Sequence, residues 1–207
     1  MISRQHRCIF VHIPRTGGTS LEEVIWGWPR TPDQLWMGFI DEFHNKYQTG
    51  GLQHLLASQI RLEVGPDIFG SYFKFAFVRN PFDRLVSQYH FMRRRPDLRQ
   101  LIGLADDAPF AAYVSRIQKV AHVQWEEQNR FVYNDQGDLL VDVIGRFESY
   151  EQDAQKVLSR LGLQSGSVPH LNKTPHRPYQ EYYDDATRAA VASMFQKDLS
   201  LFGYSFA

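Results

Sequence analysis

One cysteine, Cys8, occurs in 207 residues. A single thiol excludes an intramolecular disulfide framework and suits a reducing compartment. Cys8 lies in an apolar run, where it reads as a small core residue rather than a nucleophile. Long hydrophobic runs are missing as well. No stretch approaches the ~20 apolar residues needed to span a bilayer. The opening MISRQHRCIFVHIP has too short an apolar core for a secretory leader and lacks a small-residue cleavage site. The expected location is therefore cytoplasmic. Neither sign of charge is in excess, with 23 basic and 23 acidic residues. No global field draws the chain to nucleic acid or a membrane, so any anion site must be built locally. Metal-ligand spacings such as HExxH or CxxC are absent, and no metal is expected. The nucleoside-triphosphate loop GxxxxGK(S/T) is absent too.

What remains is an ordinary globular composition, 43% hydrophobic and 22% charged, without repeats, low-complexity tracts or a dividing linker. One domain over residues 1–207 is expected. Cys8 to Ile13 (CIFVHI) reads as a buried strand, followed by a glycine loop and by LEEVIW with helical spacing. Residues 27–50 read as an irregular excursion, and 55–64 as helical up to Gly65-Pro66. Tyr72 to Val78 is a second strand. It runs into a helix with Asn80 as N-cap, Pro81 at the first position and Asp83 in the first turn. Further elements are helices over 110–120, 151–161 and 186–195, and a strand over 139–144. Strands alternating with helices predict an α/β, P-loop-like three-layer domain with a mainly parallel central sheet flanked by helices.

Two segments invite anions. In Pro14-Arg15-Thr16-Gly17-Gly18-Thr19-Ser20 the glycines allow a tight turn and close approach of backbone N–H groups. The following helix adds its positive end, the hydroxyls add donors, and Arg15 adds a fixed charge. A plain capped turn is the competing reading. In the second segment, Arg79 follows a strand and Ser87 stands on the next helix. Ser87 lies about 140° from Phe82, off the stripe formed by Phe82, Leu85, Val86 and Tyr89. A surface arginine and a neutral serine are the competing reading there. Taken together, two strand-loop-helix units with anion ligands at the strand tips suit a nucleotide phosphorylated at two places.

IPRTGGTSLE and FVRNPFDRLVSQYHF resemble the 5'-phosphosulfate and 3'-phosphate motifs of the family 2 (carbohydrate-type) sulfotransferases. These enzymes use 3'-phosphoadenosine 5'-phosphosulfate (PAPS), and the group includes heparan sulfate 2-O-sulfotransferase and bacterial relatives. IGRFESYEQD and the C-terminal HLNKTPHRPYQEYYDD…FQKDLSLFGYSF are similar to the same family. The resemblance implies that Arg15, Thr16, Gly17, Gly18, Thr19 and Ser20 hold the 5'-phosphosulfate and that Arg79 and Ser87 hold the 3'-phosphate. Lys173 is a further candidate phosphate contact. The family usually carries lysine where this chain has Arg15. His54 matches the position of a histidine proposed as general base, a role that imidazole suits near neutral pH. His12 and His44 are the alternatives.

The implied reaction is in-line transfer of a sulfuryl group to an acceptor hydroxyl, without a metal, leaving 3'-phosphoadenosine 5'-phosphate (PAP). The expected acceptor is a carbohydrate or glycoconjugate. Trp26, Trp28, Trp36, Phe39, Phe43 and Tyr47 offer sugar-stacking rings or core packing. Arg93, Arg94, Arg95 and Arg99 offer a surface for an acidic polysaccharide or a solvated helix end. Arg146 and Phe147 are candidates to flank the adenine. A PAP- or PAPS-binding protein without catalysis, and a nucleotide or sugar kinase, are the alternative functions.

Overall fold

In the computed structural model, residues 1–35, 52–163 and 176–207 are described. Lys173, His44, Trp36, Phe39, Phe43 and Tyr47 lie outside them. The described residues form two compact units: 1–35, 52–78 and 128–163 in the first, 79–127 and 176–207 in the second.

The first unit is built on a four-stranded sheet in the order β1 (Ile2–Ser3), β2 (Cys8–Val11), β3 (Phe73–Val78), β4 (Val143–Arg146). β1 is antiparallel to β2. The others are parallel, with Val11 opposite Ala76 and Val78 opposite Arg146. β2 and β3 therefore end at the same sheet edge. Both are buried along almost their whole length, as continuous apolar runs in a parallel sheet require. α1 (Gly18–Trp26) and α8 (Tyr150–Arg160) pack Leu21, Ile25, Ala154, Val157 and Leu158 against Phe10, Phe75 and Phe77. α2 (Ala57–Val64), α3 (Pro66–Ser71) and α7 (Gln128–Val132) complete this unit. The expected fold class holds: a mainly parallel sheet flanked by helices.

β4 begins four residues later than the apolar pattern 139–144 predicts. Leu140 N–H donates to Val132 O, and Asp142 brackets Lys74, donating from its N–H and accepting the Lys74 N–H on Oδ2 at 2.7 Å. The pairing with β3 starts only beyond that clamp. α3 lies past the Gly65-Pro66 stop. Gly65 takes φ 83 and Pro66 opens a new helix, which proline does well because its first N–H would be unpaired anyway.

The second unit is helical: α4 (Pro81–Met92), α5 (Pro96–Ile102), α6 (Phe110–Ile117), α9 (Asp185–Met194) and α10 (Gln196–Phe202). Phe82, Leu85, Val86, Met92, Tyr113, Val114, Ile117, Val191 and Phe195 form its core. Asn80 caps α4 as expected, accepting from Phe82 N–H at 3.1 Å. Off the apolar stripe, Ser87 and Arg84 are nevertheless buried, 2% and 1% exposed, because α4 is covered on more than that stripe. The Arg84 guanidinium is solvated by the Glu126 carbonyl at 2.8 Å, and burial pushes its pKa down to about 10. Among the described residues no helix is long and apolar enough to cross a membrane.

Candidate functional site

After Val11 the chain turns through residues 12–17 before α1 begins. Thr16 is fully buried and closes the turn, its Oγ1 donating to the Ile13 carbonyl at 2.9 Å. Arg15 and Gly17 both adopt left-handed backbone, φ 67 and 86. That conformation costs a non-glycine residue roughly 1–2 kcal/mol, so Arg15 is held there by its surroundings. Gly17 is the N-cap of α1, and the helix start has neither a side-chain cap nor an acidic residue in its first turn. Its amides and dipole thus keep their positive potential for an anion.

Each glycine of the pair also meets a ring. A Cβ on Gly17 would stand 2.9 Å from Cε2 of Tyr150 and 3.4 Å from Cδ2 of Phe147; one on Gly18 would overlap the His12 imidazole. Tyr150 opens α8 and donates its hydroxyl to the Gly17 carbonyl at 2.8 Å, with Ser20 as a second partner. Burial pushes the Tyr150 phenol up, so it stays a donor. Phe147 is half-buried beside the loop, its ring 6.1 Å from that of Tyr150, and Arg146 is exposed.

His54 ends a 3-10 turn over Leu52–His54. Its Nδ1 lies 3.0 Å from the carbonyl oxygen of His12. A carbonyl only accepts, so Nδ1 carries the hydrogen and the lone pair sits on Nε2. Burial, and next the His12 ring, push the pKa of His54 down to about 3, leaving it neutral at pH 7. The two imidazole centroids are 4.8 Å apart. The structure thus brings together His54, His12 and the first helical residue of the glycine loop.

Behind His12 stands a buried charge pair that the sequence reading missed. Nδ1 of His12 is 2.6 Å from Oε1 of Glu22, and Oε2 of Glu22 is 3.0 Å from Nη1 of Arg30. Arg30 also donates to Glu23 at 2.9 Å and to the Gly27 carbonyl at 3.0 Å, and its guanidinium lies over the Trp28 ring. His12, Glu22 and Arg30 are 7%, 3% and 7% exposed. Burial alone would raise the Glu22 carboxyl, but His12, Arg30 and His54 outweigh it and hold it at about 2. The available signal was an acidic residue inside the apolar helix face of LEEVIW.

In the second unit, Arg79 is buried and its Nε and Nη2 both bind Oδ2 of Asp83 at 2.8 Å. Asp83 and Ser87 are four residues apart and share a helix face. Asp83 thus orients the arginine over the face that carries the serine. His176 approaches the other Asp83 oxygen at 3.7 Å. Of the basic cluster, Arg95 pairs with Asp97 and Arg99 with Asp106, which leaves less free charge than the run of arginines suggests.

The profile described as the sulfotransferase family matches residues 1–205. Carbohydrate sulfotransferase 10 of Xenopus laevis is 22% identical, over 98% of this chain and 66% of that protein, so the chain spans just under two thirds of this curated relative. An uncharacterised protein of Archaeoglobus fulgidus is 27% identical over 60% of this chain and 97% of its own length. Two solved structures share the fold. Mouse sulfotransferase SULT7A1, complexed with PAP, has a TM-score of 0.57 at 15% identity, covering 99% of this chain and 91% of that one. A sulfotransferase from Alicyclobacillus acidocaldarius has a TM-score of 0.54 at 16% identity, covering 99% and 98%.

Proposed function

Because the chain belongs to the sulfotransferase family, we propose that it moves a sulfuryl group from PAPS to a hydroxyl of a carbohydrate or glycoconjugate acceptor. The observation that carries this reading is the turn after β2: a helix start with no side-chain cap, entered through two glycines, with a neutral histidine beside it. These residues fit a phosphosulfate, since the helix start has no acidic residue in its first turn to compete for the amides. The PAP complex of a structural relative supports the choice of nucleotide.

PAPS supplies the activated sulfuryl group. The amides of Gly17 to Ser20, the Thr19 hydroxyl and the Arg15 guanidinium bind the phosphosulfate, while the Thr16 hydroxyl, spent on the Ile13 carbonyl, and that of Ser20, engaged with Tyr150, shape the turn. The binding groups also stabilise the charge that grows on the leaving oxygen. Arg79, held by Asp83, and Ser87 bind the 3'-phosphate, and Lys173 adds a further contact. Nε2 of His54 takes the acceptor proton. A free-site pKa of about 3 makes His54 a poor base alone; the negative charge of a bound phosphosulfate raises it toward a useful value.

The test combines PAP calorimetry with PAPS-dependent turnover on an acceptor panel. Arg79→Ala should weaken PAP binding with little change in kcat, because that contact exists in the ground state and the transition state alike. His54→Ala should lower kcat by about 10²–10⁴-fold. Near-normal turnover of His54→Ala removes it as base. PAP binding with no transfer to any acceptor in the panel favours a non-catalytic binder, and stabilisation by ATP instead of PAPS favours a kinase.

A further inference from the structure

We propose that Glu22, braced by Arg30, is a positioning residue for sulfuryl transfer: it fixes His12, and through the His12 backbone carbonyl it fixes the reactive tautomer and placement of His54. The inference rests on the reading of His54 as base.

The geometry runs in one direction through the first unit. Arg30 is locked by three acceptors, two carboxylates and the Gly27 carbonyl, and by the Trp28 ring on its face. It fixes Oε2 of Glu22, which turns Oε1 toward Nδ1 of His12. An ionised carboxylate in ion-pair contact at 2.6 Å favours hydrogen on that Nδ1, since two facing lone pairs would repel. The imidazole is thereby oriented with one flat side stacked on Phe10, centroids 5.1 Å apart, and its Nε2 edge against Gly18. With His12 fixed, its carbonyl has a defined direction, and it is this carbonyl that takes the Nδ1 hydrogen of His54. Nε2 of His54 is left as the proton acceptor.

A buried, ionised carboxylate is costly unless its charge is used or compensated. Here one oxygen satisfies Arg30 and the other is spent on an imidazole that touches both the glycine loop and the base. An apolar pair would pack the same volume without orienting anything. Carboxylates that orient a metal-ligating histidine from behind are worth about 10–100-fold in affinity or activity, and an effect of that order is expected of Glu22.

The experiment measures kcat, KM and the PAP dissociation constant in Glu22→Gln, Glu22→Asp and His54→Ala, and in the Glu22→Gln/His54→Ala double variant. Glu22→Gln should lower kcat by about 10–100-fold and leave PAP affinity unchanged, with Glu22→Asp recovering part of the loss. In the His54→Ala background the same substitution should cause no further loss, because its effect passes through His54. An equal loss in both backgrounds, or a loss of PAP affinity as large as the loss of kcat, overturns the proposal. So does wild-type kcat in Glu22→Gln while His54→Ala is impaired. Near-normal kcat in His54→Ala overturns the base reading itself, a result distinguishable from the others. Should Glu22→Gln not fold, His12→Asn carries the same test. The shorter amide no longer spans the distance from Glu22 to the face of Gly18, so the brace on residue 12 is broken while its backbone keeps the carbonyl, and the same lack of additivity with His54→Ala is expected.

Discussion

A methyl group at position 18 would have to share space with the His12 imidazole. Gly18→Ala should therefore destabilise the protein by about 1–3 kcal/mol, the usual range for overpacking a closed site. Chemical denaturation reads this directly. In a His12→Ala background the added cost of Gly18→Ala should largely vanish, whereas an equal cost in both backgrounds would show that crowding is not the cause. At this scale the glycine pair was legible as a tight turn suited to anions. Its second reason was not, since the His12 ring six residues before Gly18, and the Phe147 and Tyr150 rings far along the chain from Gly17, become neighbours only in the folded protein. Glu22 was illegible for a related reason. One carboxylate in an apolar helix face gives no hint of which charges it will meet, and Arg30 reaches it only because the chain turns back after Gly27.

Among the elements, α8 does more than cover the sheet. Its first residue, Tyr150, crosses to the loop before α1 and donates to the Gly17 carbonyl at 2.8 Å, coupling the start of one helix to the start of another. Tyr150→Phe keeps the packing and removes that bond. It should cost about 0.5–1.5 kcal/mol in stability and weaken PAP binding by loosening the cradle, as denaturant titration and calorimetry would report. Unchanged PAP affinity would mean that the loop holds its shape without the clamp. Elements with strong local signals matched their patterns: β2 and β3 as apolar runs, α4 with its Asn80 cap and Pro81 start, and α8 ahead of Gly162. The short helices α3, α5 and α7 did not announce themselves, because five to seven residues give too little periodicity to separate a helix from a loop.

For the whole molecule, the half-buried His54 and the buried Glu22 make stability depend on pH in a definite sense. His54 binds its proton at about 3 when folded, against 6.5 in the unfolded chain. As pH falls below 6.5 the unfolded chain takes up a proton that the folded one refuses, and stability declines until about 3. Glu22 titrates at about 2 when folded, against 4.5 unfolded, so its contribution is present above 4.5 and is lost as pH falls toward about 2. Thermal melts should therefore show acid destabilisation beginning near pH 6.5, with a flatter profile between about 6.5 and 3 in His54→Asn. A profile for that variant parallel to wild type would sink the assignment.

By itself the sequence determined the family and the parallel α/β plan and picked out two candidate anion sites, because motif spacing and apolar periodicity are local properties of the chain. Only the tertiary structure decided that His54 presents Nε2, that His12 bears on Gly18, that Tyr150 clamps Gly17 and that Glu22 and Arg30 stand behind them. Each of those depends on distances between residues remote in sequence or on opposite sides of a turn, and burial sets the proton affinity of the groups involved. Neither is written in any one stretch of residues.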